Sequence, residues 1–271
     1  MSSLRAVLTY HSLDDSGSPI SVSPSAFASH VRWLGSSGVR VLPLEELWNE
    51  VRSGVDSSGD AVAITFDDGF SNFAEHGAPV LQEFGFPCTL FVVSRHVGGD
   101  NRWGSRAAAG IPVLPLLDWA TLGRLTEGGV GVGGHTRTHC ALDLLPPGAA
   151  EQEIGGGCED IMTNLGVRPT AFAYPYGAVS SAARSCVART FALGVTTELR
   201  ALAAHDDPAL LPRLDAYYLR HENGLHHWGS VRFRAYVRLR STLRSARARF
   251  APTRSPLHVH GDGSSNARDA R

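Results

Sequence analysis

The sequence predicts an α/β fold, a nearly closed (β/α)7 barrel of parallel strands. Three observations lead there. Short apolar runs alternate with stretches of helical periodicity along most of the 271 residues. About seven such units fit, a number that favours a closed or nearly closed barrel over an open sheet. The polar clusters fall directly after the strands, where the loops of such barrels carry chemistry.

Residues 6–10 form the first strand and end at His11. Ser23 then reads as a helix N-cap with Pro24 at the first helical position. Phe27, Val31 and Leu34 repeat at helical spacing until Gly38 stops the helix. Residues 61–65 are a second apolar strand, followed by Asp67-Asp68-Gly69-Phe70 and a helix to about Phe84. Residues 88–93 are rich in β-formers, and 119–126 make a short helix capped by Asp118. Residues 130–133 form a strand that delivers Gly134 and His135. A helix over 149–165 follows, weakened by Gly155, Gly156 and Gly157. Residues 171–174, 180–189 and 191–196 then give strand, helix, strand.

Two segments stand apart. Residues 98–115 read as a long insertion on the substrate side. From about Gly229 an arginine-rich stretch carries Tyr236, Leu239, Leu243, Ala246 and Phe250 at helical spacing, and the composition after Pro252 reads as disordered. The expected division is a main domain at 1–228 and a helix with tail at 229–271.

Apolar residues make up 43% and charged residues 19%, enough for a sizeable core. The formal net charge of -1 supplies no field for nucleic acid. All 25 basic residues are arginine, as a GC-rich coding bias would produce. Cys88, Cys140, Cys158 and Cys186 form no CxxC pair, a pattern that fits a reducing compartment. The first residues read as a strand and not a signal peptide, and no apolar run approaches a membrane span. The expected location is therefore cytoplasmic. The arginine-rich helix offers either weak contact with an anionic membrane surface or simple packing on the barrel.

Asp67 and Asp68 directly follow a buried strand. Two carboxylates there need neutralising, by a cation or by the ordinary hydrogen bonds of an Asp-Gly turn. His135 and His139, four apart in His-Thr-Arg-Thr-His, can reach one metal or can each be satisfied locally. Together with Asp68 they make a two-histidine, one-carboxylate set with open positions, suited to zinc and also to Fe2+ or Co2+. Tyr174-Pro175-Tyr176-Gly177 is a rigid turn at a strand end, able either to close the strand or to aim a backbone N–H at a developing oxyanion.

In this order, Thr65-Phe66-Asp67-Asp68-Gly69, His135–His139 and Pro175-Tyr176-Gly177 resemble the polysaccharide deacetylases with a NodB homology domain, carbohydrate esterase family 4. The resemblance covers roughly residues 6–220 and implies that family's distorted (β/α)7 barrel. It implies that Asp67 is the catalytic base, that Asp68, His135 and His139 hold a divalent metal (zinc, with Co2+, Fe2+ or Ni2+ as alternatives) and that the Tyr176 N–H binds the oxyanion. Two departures stand out. The arginine usual before the proline turn is missing from Phe172-Ala173-Tyr174-Pro175, and Arg213 is the substitute expected to pair with Asp67. Nothing convincing for the family's late Leu-x-His stands late in the barrel region, and Leu257-His258-Val259-His260 lies in the tail. In the circularly rearranged deacetylases of poly-N-acetylglucosamine the acid histidine comes from the first strand, and His11 occupies such a place.

The implied activity is removal of N-acetyl groups from a glycan or amino sugar, releasing acetate and a free amine. Hydrolysis of another C–N or O-acetyl ester bond, and a silent glycan-binding module, are the competing classes. An intact base, metal set and acid candidate speak against the last.

Overall fold

The computed structural model describes residues 3–54, 59–103 and 110–250, without the side chains of 247–250. The centre of the expected insertion and the expected disordered tail, with 257–260, lie outside the described residues.

Ten strands and seven α-helices are present among the described residues. The strands are β1 (Arg5–Tyr10), β2 (Ser12–Leu13), β3 (Ser21–Val22), β4 (Arg40–Val41), β5 (Ala61–Phe66), β6 (Cys88–Val92), β7 (Gly131–Gly134), β8 (Ala171–Ala173), β9 (Leu193–Val195) and β10 (Leu214–Asp215). The helices are α1 (Pro24–Ser37), α2 (Leu44–Ser53), α3 (Ala78–Glu83), α4 (Trp119–Glu127), α5 (Pro147–Leu165), α6 (Ser181–Thr190) and α7 (Val231–Phe250).

The main sheet runs β10-β1-β5-β6-β7-β8-β9, with β4 beside β5, and every paired strand in it is parallel. Its edges approach each other through one short segment. Leu211 bridges Val195 of β9, while Leu214 of β10 pairs with Leu8 of β1. The sheet therefore curls into a nearly closed barrel, and the closing segment carries Arg213.

Local chemistry places the elements. The Ser23 hydroxyl accepts the Ala26 N–H at 3.2 Å, Pro24 opens α1, and Gly38 ends it at φ 76. β5 is buried along its whole length, as a central parallel strand requires. A π-helical turn, Phe73–Gly77, precedes α3, so the helix expected up to Phe84 is split. Gly155, Gly156 and Gly157 do not interrupt α5, which runs through them. A Cβ on Gly156 would meet the Arg137 side chain at 2.7 Å, and one on Gly157 would meet Thr136 backbone at 3.3 Å. The helix trades propensity for close approach to the histidine loop.

The arginine-rich α7 packs on the barrel. Phe233 is 4% exposed and its ring lies 5.2 Å from that of Trp228. The Tyr236 hydroxyl donates to the Tyr218 carbonyl at 2.8 Å, and the Arg240 guanidinium lies over the Tyr218 and Tyr236 rings. No helix among the described residues is long and apolar enough to cross a membrane.

Candidate active site

The register of β1 against β5 sets the first contact. Tyr10 faces Phe66 across the pair, and the Asp67 N–H donates to the Tyr10 carbonyl at 2.9 Å. The next residue on each strand is therefore His11 or Asp67, side by side. His11 Nε2 stands 3.7 Å from Asp67 Oδ2. Asp67 is almost fully buried, while His11 keeps 24% of its side chain exposed toward the cavity.

Arg213, in the closing segment just before β10, meets Asp67 across β1. Its guanidinium donates to Asp67 Oδ1 at 2.7 Å and Oδ2 at 2.6 Å, the two-pronged geometry that a carboxylate matches best. Its Nε donates to the Thr196 carbonyl at 2.9 Å. The side chain is 1% exposed, so the pair is desolvated. Burial pushes the Asp67 carboxyl up, but the charge and hydrogen bonds of Arg213 outweigh burial and hold it below the usual carboxylate value.

The β6–β7–β8 pairing delivers the histidines. The His135 N–H donates to the Val92 carbonyl at 3.0 Å. His135 Nδ1 lies 2.7 Å from the Ala173 carbonyl, an acceptor only, so Nδ1 carries the proton. A neutral His135 then presents the bare lone pair of Nε2 to Asp68 Oδ1, 3.3 Å away. His139 Nε2 stands 3.2 Å from the same oxygen, and the His139 ring is fixed by the Tyr176 hydroxyl, 2.9 Å from Nδ1.

These three residues form a group able to hold a metal ion. Their ligand atoms all lie within 4.8 Å of one another and all three side chains are buried. Neither histidine closes a hydrogen bond on Asp68 Oδ1, which remains a buried acceptor without a donor. Such an atom is costly unless a cation meets it, so the donor set fits a divalent metal. Burial raises the Asp68 carboxyl; with the histidines protonated, the charge of His139 and the bonds from both rings more than reverse this and take it well below its usual value.

Backbone strain is concentrated at the same place. Asp68, Thr136, His139 and Tyr176 are the non-glycine residues with positive φ among the described residues, between 60 and 71. Each costs about 1–2 kcal/mol and persists because surrounding contacts hold it. For the histidine loop those contacts come from α5. Glu153 accepts the N–H groups of Arg137 and Thr138, both at 2.9 Å, and the Thr138 hydroxyl at 3.1 Å. Asp160 binds Arg137 at 2.9 and 3.0 Å and accepts the Ser94 hydroxyl at 2.6 Å. The Thr136 hydroxyl accepts the His139 N–H at 2.9 Å.

The structure thus brings Asp67, Asp68, His11, His135, His139, Arg213 and Tyr176 together around one cavity of about 250 Å3. Sequence reasoning assigned Tyr176 only a backbone role, whereas its hydroxyl also braces His139. It missed Glu153 and Asp160, whose seven-residue spacing on a helix beside the loop was the available signal. It also missed Trp103, which stacks on His139 with ring centroids 4.4 Å apart. That residue lies within the insertion read as substrate-side.

Known proteins resemble this chain in sequence and in fold. The polysaccharide deacetylase family model matches residues 54–194. YxkH of Bacillus subtilis (strain 168) is 25% identical over 193 residues, 71% of this chain and 64% of that protein. A poly-beta-1,6-N-acetyl-D-glucosamine N-deacetylase of Staphylococcus aureus (strain MSSA476) is 35% identical over 81 residues, 30% of this chain and 28% of that enzyme. The chain therefore spans less than two thirds of the length of these relatives. The solved structure of Streptococcus pyogenes deacetylase PplD in complex with acetate matches with a TM-score of 0.70 at 20% identity. That match covers 84% of this chain and 98% of that one, and it is a likeness of fold.

Proposed function

The chain belongs to the polysaccharide deacetylase family, and on that premise we propose that it is a metal-dependent hydrolase removing N-acetyl groups from the sugars of a glycan or its biosynthetic intermediate. The observation that carries this reading is the pairing of two differently held carboxylates: Asp68 aimed at two histidines, Asp67 held ionised by Arg213. The poly-beta-1,6-N-acetyl-D-glucosamine deacetylase among the relatives supports an N-acetylated glycan as substrate.

Asp68, His135 and His139 hold the metal, zinc first among the divalent ions, and when bound it supplies Lewis acidity toward a water and the acyl carbonyl. Asp67 takes a proton from the attacking water as the new C–O bond forms. Arg213 keeps Asp67 ionised and aimed. The Tyr176 N–H donates to the carbonyl oxygen as it gains charge. His11, protonated, gives its proton to the amide nitrogen as the C–N bond breaks, because an amine leaves poorly as an anion. Acetate and a free amino sugar result.

The deacetylase unit spans 1–228, with 229–271 as an appended helix and tail. Leu239 and Leu243, exposed among the arginines of α7, support weak contact with an anionic membrane surface. The four cysteines are unpaired, which supports a cytoplasmic location.

Acetate release from N-acetylated oligosaccharides by the zinc-loaded chain, beside ester and cyclic-amide substrates, tests the reading. Turnover of the amides that vanishes with Asp67→Asn supports it. Equal rates for both proteins on every acylated sugar, or turnover of esters alone, rejects it.

A further inference from the structure

The catalytic cavity does not end at the metal group. Thr197 and Arg244 line it and also line a neighbouring cavity of about 400 Å3. The second cavity is walled on one side by Ser241, Arg244 and Ser245 of α7, and on the other by Thr196, Thr197 and Glu198 after β9. The anchoring of α7 through Phe233 and Tyr236 is what brings this wall to the catalytic centre. Ser241 and Ser245 lie one turn apart, on the same helix face as Arg244.

The charges here are unequally matched. Glu198 is engaged by Arg200 at 2.8 and 3.1 Å. Arg213 is saturated by Asp67 at 2.7 and 2.6 Å. Arg244 has five N–H donors, and among the described residues its partner is a single oxygen of Asp215 at 3.5 Å. That is beyond the usual 2.7–3.2 Å of such a bond. The other Asp215 oxygen is taken by the Tyr217 N–H at 3.0 Å. A guanidinium with most of its fork open, flanked by hydroxyls, suits an oxyanion that could bind it at two points.

We propose that Arg244 forms an anion-binding subsite beside the catalytic centre, so that the substrate is an N-acylated amino sugar carrying a carboxylate or phosphate near the acylated residue. This rests on the deacetylase reading above. Asp215, 3.5 Å from the Arg244 guanidinium, repels the anion, so the guanidinium is the group that decides affinity.

The test compares the zinc-loaded full chain on three matched N-acetylated saccharides: neutral, carboxylate-bearing and phosphate-bearing. The wild type should prefer one or both anionic substrates in kcat/KM by at least about tenfold, ~1.4 kcal/mol, with the difference in KM. Arg244→Gln should bring that ratio close to one, and Arg244→Lys should keep part of it. The preferred substrate distinguishes a carboxylate from a phosphate. A wild-type ratio at or below one, or a ratio unchanged in Arg244→Gln, overturns the inference; the wild-type ratio and the Lys variant decide if the Gln variant fails to fold. Calorimetric titration with inorganic phosphate and with glucuronate reads the subsite without turnover. Binding weakened about tenfold in Arg244→Gln upholds it even if no substrate is cleaved, and neither anion binding at millimolar concentration rejects it.

Discussion

Replacing Arg213 by methionine removes a buried cation and leaves the buried Asp67 carboxylate without its partner. Arg213 and Asp67 are 1% and 4% exposed and joined by two bonds of 2.7 and 2.6 Å, so solvent cannot take over the lost contacts. Breaking such a pair from one side costs about 3–5 kcal/mol. In a chain of this size that corresponds to a fall in Tm of about 6–20 °C. The pH dependence follows from the shifts. In the intact chain the Asp67 carboxyl lies below its usual value, so the pair stabilises the fold above about pH 3.9 and the benefit is lost as pH falls further. In the variant burial is the dominant influence and raises the carboxyl, so folding is penalised above about pH 3.9 and the penalty fades on acidification. The gap between the two proteins is therefore widest near neutrality and closes toward acid. Thermal and urea melts of EDTA-treated protein across this range measure it. The double variant Asp67→Asn/Arg213→Met, which buries neither charge of the pair, should recover most of the loss. A gap under about 1 kcal/mol that ignores pH would refute the reasoning.

Three further outcomes follow from the geometry. Glu153→Ala strips the histidine loop of its acceptor for two N–H groups and a hydroxyl; zinc affinity in a chelator competition should weaken about 10–100-fold, and an unchanged constant would count against the support assigned to α5. His11→Gln should lower kcat on amides by about 100-fold or more while an ester with a good leaving group loses less, because only the amine needs the proton; equal losses on both would remove His11 as the acid. Gly177→Ala places a Cβ 2.1 Å from Thr197 Oγ1 at a residue with φ +68. It should cost more than the ~1–2 kcal/mol of the left-handed backbone alone, read as a lowered Tm.

The parts of the site written contiguously were legible in the sequence. Asp67-Asp68 and His135–His139 declare themselves because ligand spacing within one loop is a local property, and β1 and β5 show as apolar runs. The relation between Arg213 and Asp67 crosses 146 residues and depends on how the barrel edges close at Leu211, so only the absence of a nearer arginine pointed to it. Gly155–Gly157 looked like a helix defect because propensity sees one helix at a time. Their value appears only once α5 is set against Thr136 and Arg137. The positive φ of Thr136 was invisible for a similar reason, since a β-branched residue is the last expected there and tertiary contacts impose it. The arginines of α7 left membrane contact and packing on the barrel both open, because the few aromatic residues that seat it are too sparse to dominate its pattern.

The division of labour between the two adjacent carboxylates is tested most directly by zinc titration of two single variants, Asp67→Asn and Asp68→Asn. Asp67→Asn should bind zinc with an affinity close to that of the intact chain and release no acetate. Asp68→Asn should lose zinc affinity by orders of magnitude, because Oδ1 is the atom both histidines face. Equal loss of zinc in both variants, or loss confined to Asp67→Asn, would contradict the assignment.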